Sequence, residues 1–180
     1  GHGCCALASI NLAKFVGYTS PKVTFDFDKF KEMVRYGTYF LDFMIEKSGY
    51  PTPEYEEMAK KTRQIGLGIM GLADMLCLLD IPYDSPEAYD LCDEITLILT
   101  RTAIETSIEL AEEYGSFSSY AANEENMRKL CKKFGVMINH GVPLRNSSWT
   151  TIAPTGTISI SADCSPGMEP LFGITYTKNI

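Results

Sequence analysis

Apolar residues recur at helical spacing at Phe30, Val34, Leu41, Met44 and Ile45, and this pattern predicts a helix capped by Asp26 or Asp28. It runs to about Lys47 and is closed by Gly49 and Pro51. Pro53 to Arg63 reads as a charged, exposed helix, and Gly68 to Leu79 as a more buried one, stopped before Pro82. The clearest helix follows. Ser85 caps it, Pro86 fits its first position, and Glu87 suits the positive end of its dipole. Ala88, Leu91, Cys92, Ile95, Leu99, Ala103, Thr106 and Leu110 form its stripe, with Gly115 past its end. A last helix runs from Asn123 to Phe134, with Met127, Leu130, Cys131 and Phe134 inward and Lys132 and Lys133 at its negative end.

Extended segments are few. Ser9 to Leu12, with Phe15 and Val16, reads as a short strand leading into a loop, and Gly17 to Val23 is turn-rich. Thr150-Thr151-Ile152 reads as a buried strand, with a loop hanging from its C-terminal end. The expected class is α/β, helix-rich, with short strands at both ends of the chain. There is no internal repeat and no dividing linker, so residues 1–180 read as one segment.

Composition narrows the function classes. The 180 residues are 45% hydrophobic, with 10 Tyr and 9 Phe, enough for a folded core. A net charge of -7 argues against a nucleic-acid groove or an anionic membrane surface. The run Ile65 to Leu79 contains Asp74 and three glycines and is too short to span a bilayer. The six cysteines, Cys4, Cys5, Cys77, Cys92, Cys131 and Cys164, form no CxxC pair and no zinc-spaced cluster. The expected compartment is therefore a reducing cytoplasm. The start at Gly1-His2-Gly3 reads as that of a processed or partial chain.

The run from Ala153 through Pro154, Thr155, Gly156, Thr157 and Ile158 to Ser159 carries the strongest chemical signal. Small residues and free N–H groups just before a helix start are what a phosphate requires. An ordinary turn uses the same residue types, and many such turns bind nothing. The Gly-Lys-Ser/Thr ending of a Walker A loop is absent. Cys5 is the second candidate, as a functional thiol; the bland alternative is an inert buried one. Gly66 to Gly71 matches GxGxxG, but the preceding Lys60 to Ile65 reads as the end of a charged helix, not the strand a dinucleotide fingerprint needs. Its glycines are expected to permit close backbone approach. Asp74 is expected to be a structural hydrogen-bonding residue or ion-pair partner, His140 a packed or surface turn histidine, and Glu169 a structural acid before Pro170.

Four blocks, in order, resemble the catalytic subunit of ribonucleotide reductase. Cys5 to Leu12 is similar to the family's Cys-Asn-Leu-Gly-Ser-Ile-Asn-Leu, and Arg63 to Asp74 to its Arg-x-Ile-Gly-Leu-Gly-x-x-Gly-x-Ala-Asp. His140-Gly141 with Arg145-Asn146 is the third block. Ala153 to Ser159 with Gly167 to Pro170 is the fourth, and its wording resembles the adenosylcobalamin-dependent class.

The resemblance implies a segment of a ten-stranded α/β barrel, incomplete at both ends. It implies that Pro154, Thr155, Gly156, Thr157 and Ile158 hold the phosphates of a ribonucleoside di- or triphosphate. It implies that Cys5 is one of two thiols that reduce the ribose 2′ carbon and end as a disulfide. A thioredoxin-like reductant, adenosylcobalamin and the rest of the barrel, or a partner chain supplying it, are the implied partners. The family's radical cysteine sits in an Asn-x-Cys-x-Glu motif, which this sequence lacks, so the 180 residues alone are expected to be inactive. Ala6 replaces the usual Asn, and Pro143 lies in an extension of the His-Gly-x-Arg-Asn pattern, between Val142 and Leu144. Two rival readings are a non-catalytic split or degenerate module that docks on a partner, and an unrelated phosphate-binding domain that does not need Cys5.

Overall fold

Three parallel strands order the molecule. The computed structural model describes residues 4–19, 21–171 and 173. His2 lies outside them. Strand β1 (Ala6–Asn11) pairs with β4 (Gln64–Met70), and β4 pairs on its other side with β5 (Ser148–Thr150). The β1–β4 register is regular, from Ala6 opposite Ile65 to Asn11 opposite Met70. Parallel neighbours need long crossovers, and these are helical. Helices α1 (Phe27–Lys47) and α2 (Pro53–Thr62) lie between β1 and β4, and α3 (Leu72–Leu78), α4 (Pro86–Tyr114) and α5 (Tyr120–Lys133) between β4 and β5. Helix α6 (Ile158–Ser161) follows β5. The molecule is α/β.

Helix α1 packs against β1, β4 and α4, and α4 also packs against β5. Phe30, Val34, Leu41 and Ile45 of α1 are buried with Ile65, Leu67 and Ile69 of β4 and Ile95, Leu99 and Ala103 of α4. The caps of α1 and α4 fall where the sequence placed them. Asp26 accepts from the Lys29 N–H at 2.9 Å, and Ser85 accepts from the Ala88 N–H at 3.2 Å. Gly115 ends α4 at a φ of 80°.

Four expectations need correction. The helix expected over Gly68 to Leu79 is a strand followed by a seven-residue helix. β4 is the central strand, buried along all but its first residue, so both faces are apolar or glycine and no alternation marks it. A short apolar run of this kind fits a buried strand and a buried helix equally. The longest strand of the parallel sheet therefore lies mid-chain, not at either end. The turn-rich stretch from Gly17 to Val23 is an antiparallel hairpin of β2 (Val16–Thr19) and β3 (Lys22–Phe25). Helix α5 starts three residues before Asn123, whose side chain instead donates to the Ser119 carbonyl. The strand expected at Thr150 to Ile152 lies two residues earlier, although the Thr151 N–H still donates to the Leu67 carbonyl at 3.2 Å.

The glycines of β4 do allow close approach. A Cβ on Gly68 would stand 2.5 Å from the Thr151 carbonyl oxygen, and one on Gly66 would meet Leu7 and Thr151 within 2.7 Å. They lie inside the strand, covered on both sides, so the GxGxxG string forms no open turn.

Candidate active-site segment

The loop after β5 leaves the sheet at its carboxyl edge, where open parallel sheets bind ligands. Thr155 sits there at a φ of 46°, a strained conformation for a β-branched residue. Its carbonyl accepts from the Ser159 N–H at 3.0 Å. Between these two residues, the N–H groups of Gly156, Thr157 and Ile158 meet no acceptor among the described residues. No side chain grows from Gly156, and a Cβ there would touch nothing within 4 Å. Three adjacent donors in the open are what the sequence suggested for an anion.

A strap holds this loop to the sheet. Asn11, at the end of β1, donates from Nδ2 to the Ala162 carbonyl at 3.2 Å. The Gly71 N–H donates to the Ser165 carbonyl at 2.8 Å, and the Ser165 N–H donates to the Asp74 carboxylate. The Gly167 N–H then donates to Thr155 Oγ1 at 2.6 Å. Asp74 is thus a structural hydrogen-bonding residue, as expected. Gly71, at a φ of 73°, must be glycine, because a Cβ would lie 2.5 Å from Asn11 Oδ1.

Cys5 stands at the other end of the sheet, just before β1. It is exposed and lines a cleft of about 350 Å³ with Cys4, Tyr50 and the C-terminal turns of α1. Desolvation against that wall, reinforced by neighbouring Cys4, raises its thiol above the ordinary 9.0. The thiol therefore stays protonated at neutral pH and is no ready nucleophile. Among the described residues its only hydrogen bond is a long one to the Ala6 carbonyl. β1 separates Cys5 from the Asn11 tie by roughly 20 Å of extended chain. The structure does not bring Cys5 and the loop into contact.

The amino edge also holds a buried polar network that was not read from the sequence. Arg63, at a φ of 47° between α2 and β4, donates from Nε to Asp42 Oδ1 at 3.0 Å and from Nη1 to Glu46. Asn146 donates to the same Asp42 oxygen at 2.9 Å and accepts from the Ser107 hydroxyl at 2.9 Å. Arg145 reaches Asp42 Oδ2 at 3.3 Å and the Tyr114 and Gly115 carbonyls at the end of α4. The Arg63 hydrogen bond holds the Glu46 carboxyl below its ordinary 4.5. The signal was available: Asp42 falls on the buried stripe of α1 between Leu41 and Ile45. Arg63, Arg145 and Asn146 of the second and third resembling blocks are therefore scaffold. His140 is exposed, 3.5 Å from Glu124, in a turn.

No group of three or more His, Cys, Asp or Glu among the described residues could hold a metal ion. No helix among them is long and apolar enough to cross a membrane.

Similarity to known proteins decides the family. The profile of the ribonucleotide reductase barrel domain matches residues 1–180. The chain belongs to the ribonucleotide reductase family. It is 39% identical over 176 residues to a vitamin B12-dependent ribonucleoside-diphosphate reductase of Thermoplasma acidophilum, covering 98% of this chain and 21% of the relative. A protein of the same description from Mycobacterium tuberculosis is 39% identical, with 98% and 23% covered. Among solved structures, the Actinobacillus ureae class Id ribonucleotide reductase alpha subunit superposes with a TM-score of 0.65 at 29% identity, over 92% of this chain and 28% of that one. The chain spans about a fifth of the length of these reductase relatives.

Proposed function

We propose that this chain is the part of a ten-stranded reductase barrel that grips the substrate phosphates and supplies one reducing thiol. The observation that carries the reading is the set of three unpartnered N–H groups at Gly156, Thr157 and Ile158, at the carboxyl edge of a parallel sheet. They would take the phosphates of a ribonucleoside di- or triphosphate, together with Pro154 and Thr155, which shape the loop. Backbone donors fixed before the ligand arrives hold charge without reorganising.

Cys5 would act at the 2′ carbon. Two thiols are oxidised to one disulfide, the C2′–OH bond breaks and leaves as water, and a C2′–H bond takes its place. Cys5 supplies one thiol and the second comes from outside these residues. A thioredoxin-like protein then returns the disulfide to thiols. A thiol held protonated suits this role, because it brings hydrogen as well as electrons.

Adenosylcobalamin, consistent with the vitamin B12 dependence named for the Thermoplasma and Mycobacterium relatives, would supply radical initiation when bound. The described residues do not fit it on their own: they gather no cluster of metal-ligating side chains, and their one histidine, His140, is exposed beside Glu124. With no Asn-x-Cys-x-Glu motif, the 180 residues alone do not turn over.

A second reading, a non-catalytic module docking on a partner chain, is favoured by one observation. β1 is an edge strand whose only described neighbour is β4, and Met33, Tyr36, Phe40 and Phe43 of α1 are exposed. Under this reading the isolated chain self-associates on size exclusion and exchanges its β1 amides quickly; a rigid, protected monomer contradicts it.

The test of the main reading is Cys5→Ser in a full-length reductase carrying this segment. Product formation is lost while substrate affinity is kept. Turnover at the parent rate would remove Cys5 from the chemistry.

A further inference from the structure

Four residues, Asn11, Gly71, Asp74 and Thr155, converge on the strap between α6 and Gly167, and one of them bears a charge. The Asp74 carboxylate lies in the first turn of α3, 91 positions from its partner, the Ser165 N–H. The Ser165 carbonyl is taken at the same time by the Gly71 N–H at 2.8 Å. The Ser165 hydroxyl is buried and meets no partner among the described residues, so it is the backbone of Ser165 that is held. Two residues on, Gly167 hooks Thr155 at 2.6 Å. Gly167 has a φ of 48°, and a Cβ there would stand 3.2 Å from the Ala153 carbonyl oxygen. The Cys164 N–H donates to the Ser159 carbonyl at 3.0 Å, so the strap meets both ends of the loop.

We infer that Asp74 is a positioning residue for substrate phosphate, acting through Ser165, Gly167 and Thr155 on the N–H groups of Gly156, Thr157 and Ile158. This rests on the phosphate-loop reading above. The tie to Asp74 is the charge-assisted one and so the strongest of the set. Asn11 and Gly71 fix the strap at two further points, but through neutral hydrogen bonds. Releasing Asp74 leaves the Ser165 N–H, part-buried, without an acceptor. The strap then shifts, Thr155 loses its hook and its reason to hold a φ of 46°, and the three donors no longer point to one place. The role is distinct from ordinary scaffolding, because it affects phosphate and not the rest of the nucleotide.

The experiment compares binding of cytidine diphosphate and of cytidine, by calorimetry, to a full-length reductase carrying this segment. Asp74→Ala weakens cytidine diphosphate about tenfold, the effect of one such hydrogen bond, and leaves cytidine unchanged. Asp74→Asn keeps an acceptor oxygen and restores affinity to within about threefold. If Asp74→Ala does not fold, Asp74→Ser, too short to reach Ser165, carries the same comparison. Gly156→Asp, which meets no steric obstacle, sets a negative charge among the donors and reports on the loop itself. If Gly156→Asp weakens the diphosphate and Asp74→Ala does not, the positioning role is overturned and the phosphate loop stands. An equal loss of diphosphate and nucleoside affinity in Asp74→Ala also overturns it. If Gly156→Asp leaves the diphosphate unaffected, the phosphate-loop reading fails and the inference falls with it.

Discussion

The two edges of the parallel sheet are built on opposite plans. At the amino edge, before β4 and β5, charged side chains are buried and saturated: Asp42 alone receives bonds from Arg63, Arg145 and Asn146. At the carboxyl edge, after β1, β4 and β5, the ties run largely through backbone, and three N–H groups stay open in the loop. Donors of the first kind are used largely within the fold, on Asp42, Glu46 and backbone carbonyls. The second kind leaves donors open among the described residues. The open donors lie at the carboxyl edge, where open parallel sheets generally bind ligands. Cys5 is the exception. It sits at the amino end of β1, yet it belongs to no network and is exposed.

The largest effect is expected from breaking the amino edge. Asp42→Ala leaves Arg63 and Arg145 without their shared carboxylate and costs about 3–5 kcal/mol, read from urea unfolding. A cost below about 1 kcal/mol would show that the network is not the lock described here.

Next comes the carboxyl edge. Gly68→Ala forces a Cβ onto the Thr151 carbonyl and costs about 1–3 kcal/mol. Its signature is local. The Thr151 amide, bonded to the Leu67 carbonyl, exchanges faster while amides in the middle of α4 do not. Uniform acceleration across both would contradict a separate carboxyl edge.

How far the two plans were legible before the structure follows from what each uses. The long amphipathic helices α1 and α4 could be read, with their caps, because one side of each faces solvent and the period survives. Strand β4 could not, because both its faces are covered and its glycines hide the rest. The loop with the open N–H groups was readable as a string of small residues and hydroxyls. The strap was not, because Asn11, Gly71, Asp74 and Ser165 come from three separate stretches of chain and meet mainly through backbone groups. The Asp42 network was missed although Asp42 lies on the buried stripe of α1, where an acid needs a buried partner.

A smaller effect sharpens the amino edge by pH. Glu46 is held below its ordinary 4.5 chiefly by the Arg63 hydrogen bond, so its contribution is complete above that value and is lost as pH falls through the lowered one. Acid unfolding of Glu46→Gln lacks this component. Identical acid profiles for the two proteins would deny the coupling.

The smallest effect on stability separates Cys5 from both plans. Cys5→Ser changes unfolding by less than about 0.5 kcal/mol, because nothing in the network touches it. Iodoacetamide reaches Cys5 before buried Cys131, whose thiol burial pushes up to about 11. The rate at Cys5 rises with pH to a midpoint above 9.0, since the thiol is held protonated.

The most direct measurement is a single turnover. A pre-reduced full-length reductase carrying this segment is given a ribonucleotide without external reductant, quenched, alkylated and analysed by mass spectrometry at Cys5. The expected result is one Cys5 disulfide for each deoxyribonucleotide formed. Deoxyribonucleotide formed while Cys5 remains a free, alkylated thiol would contradict the assignment of Cys5 as a reducing thiol.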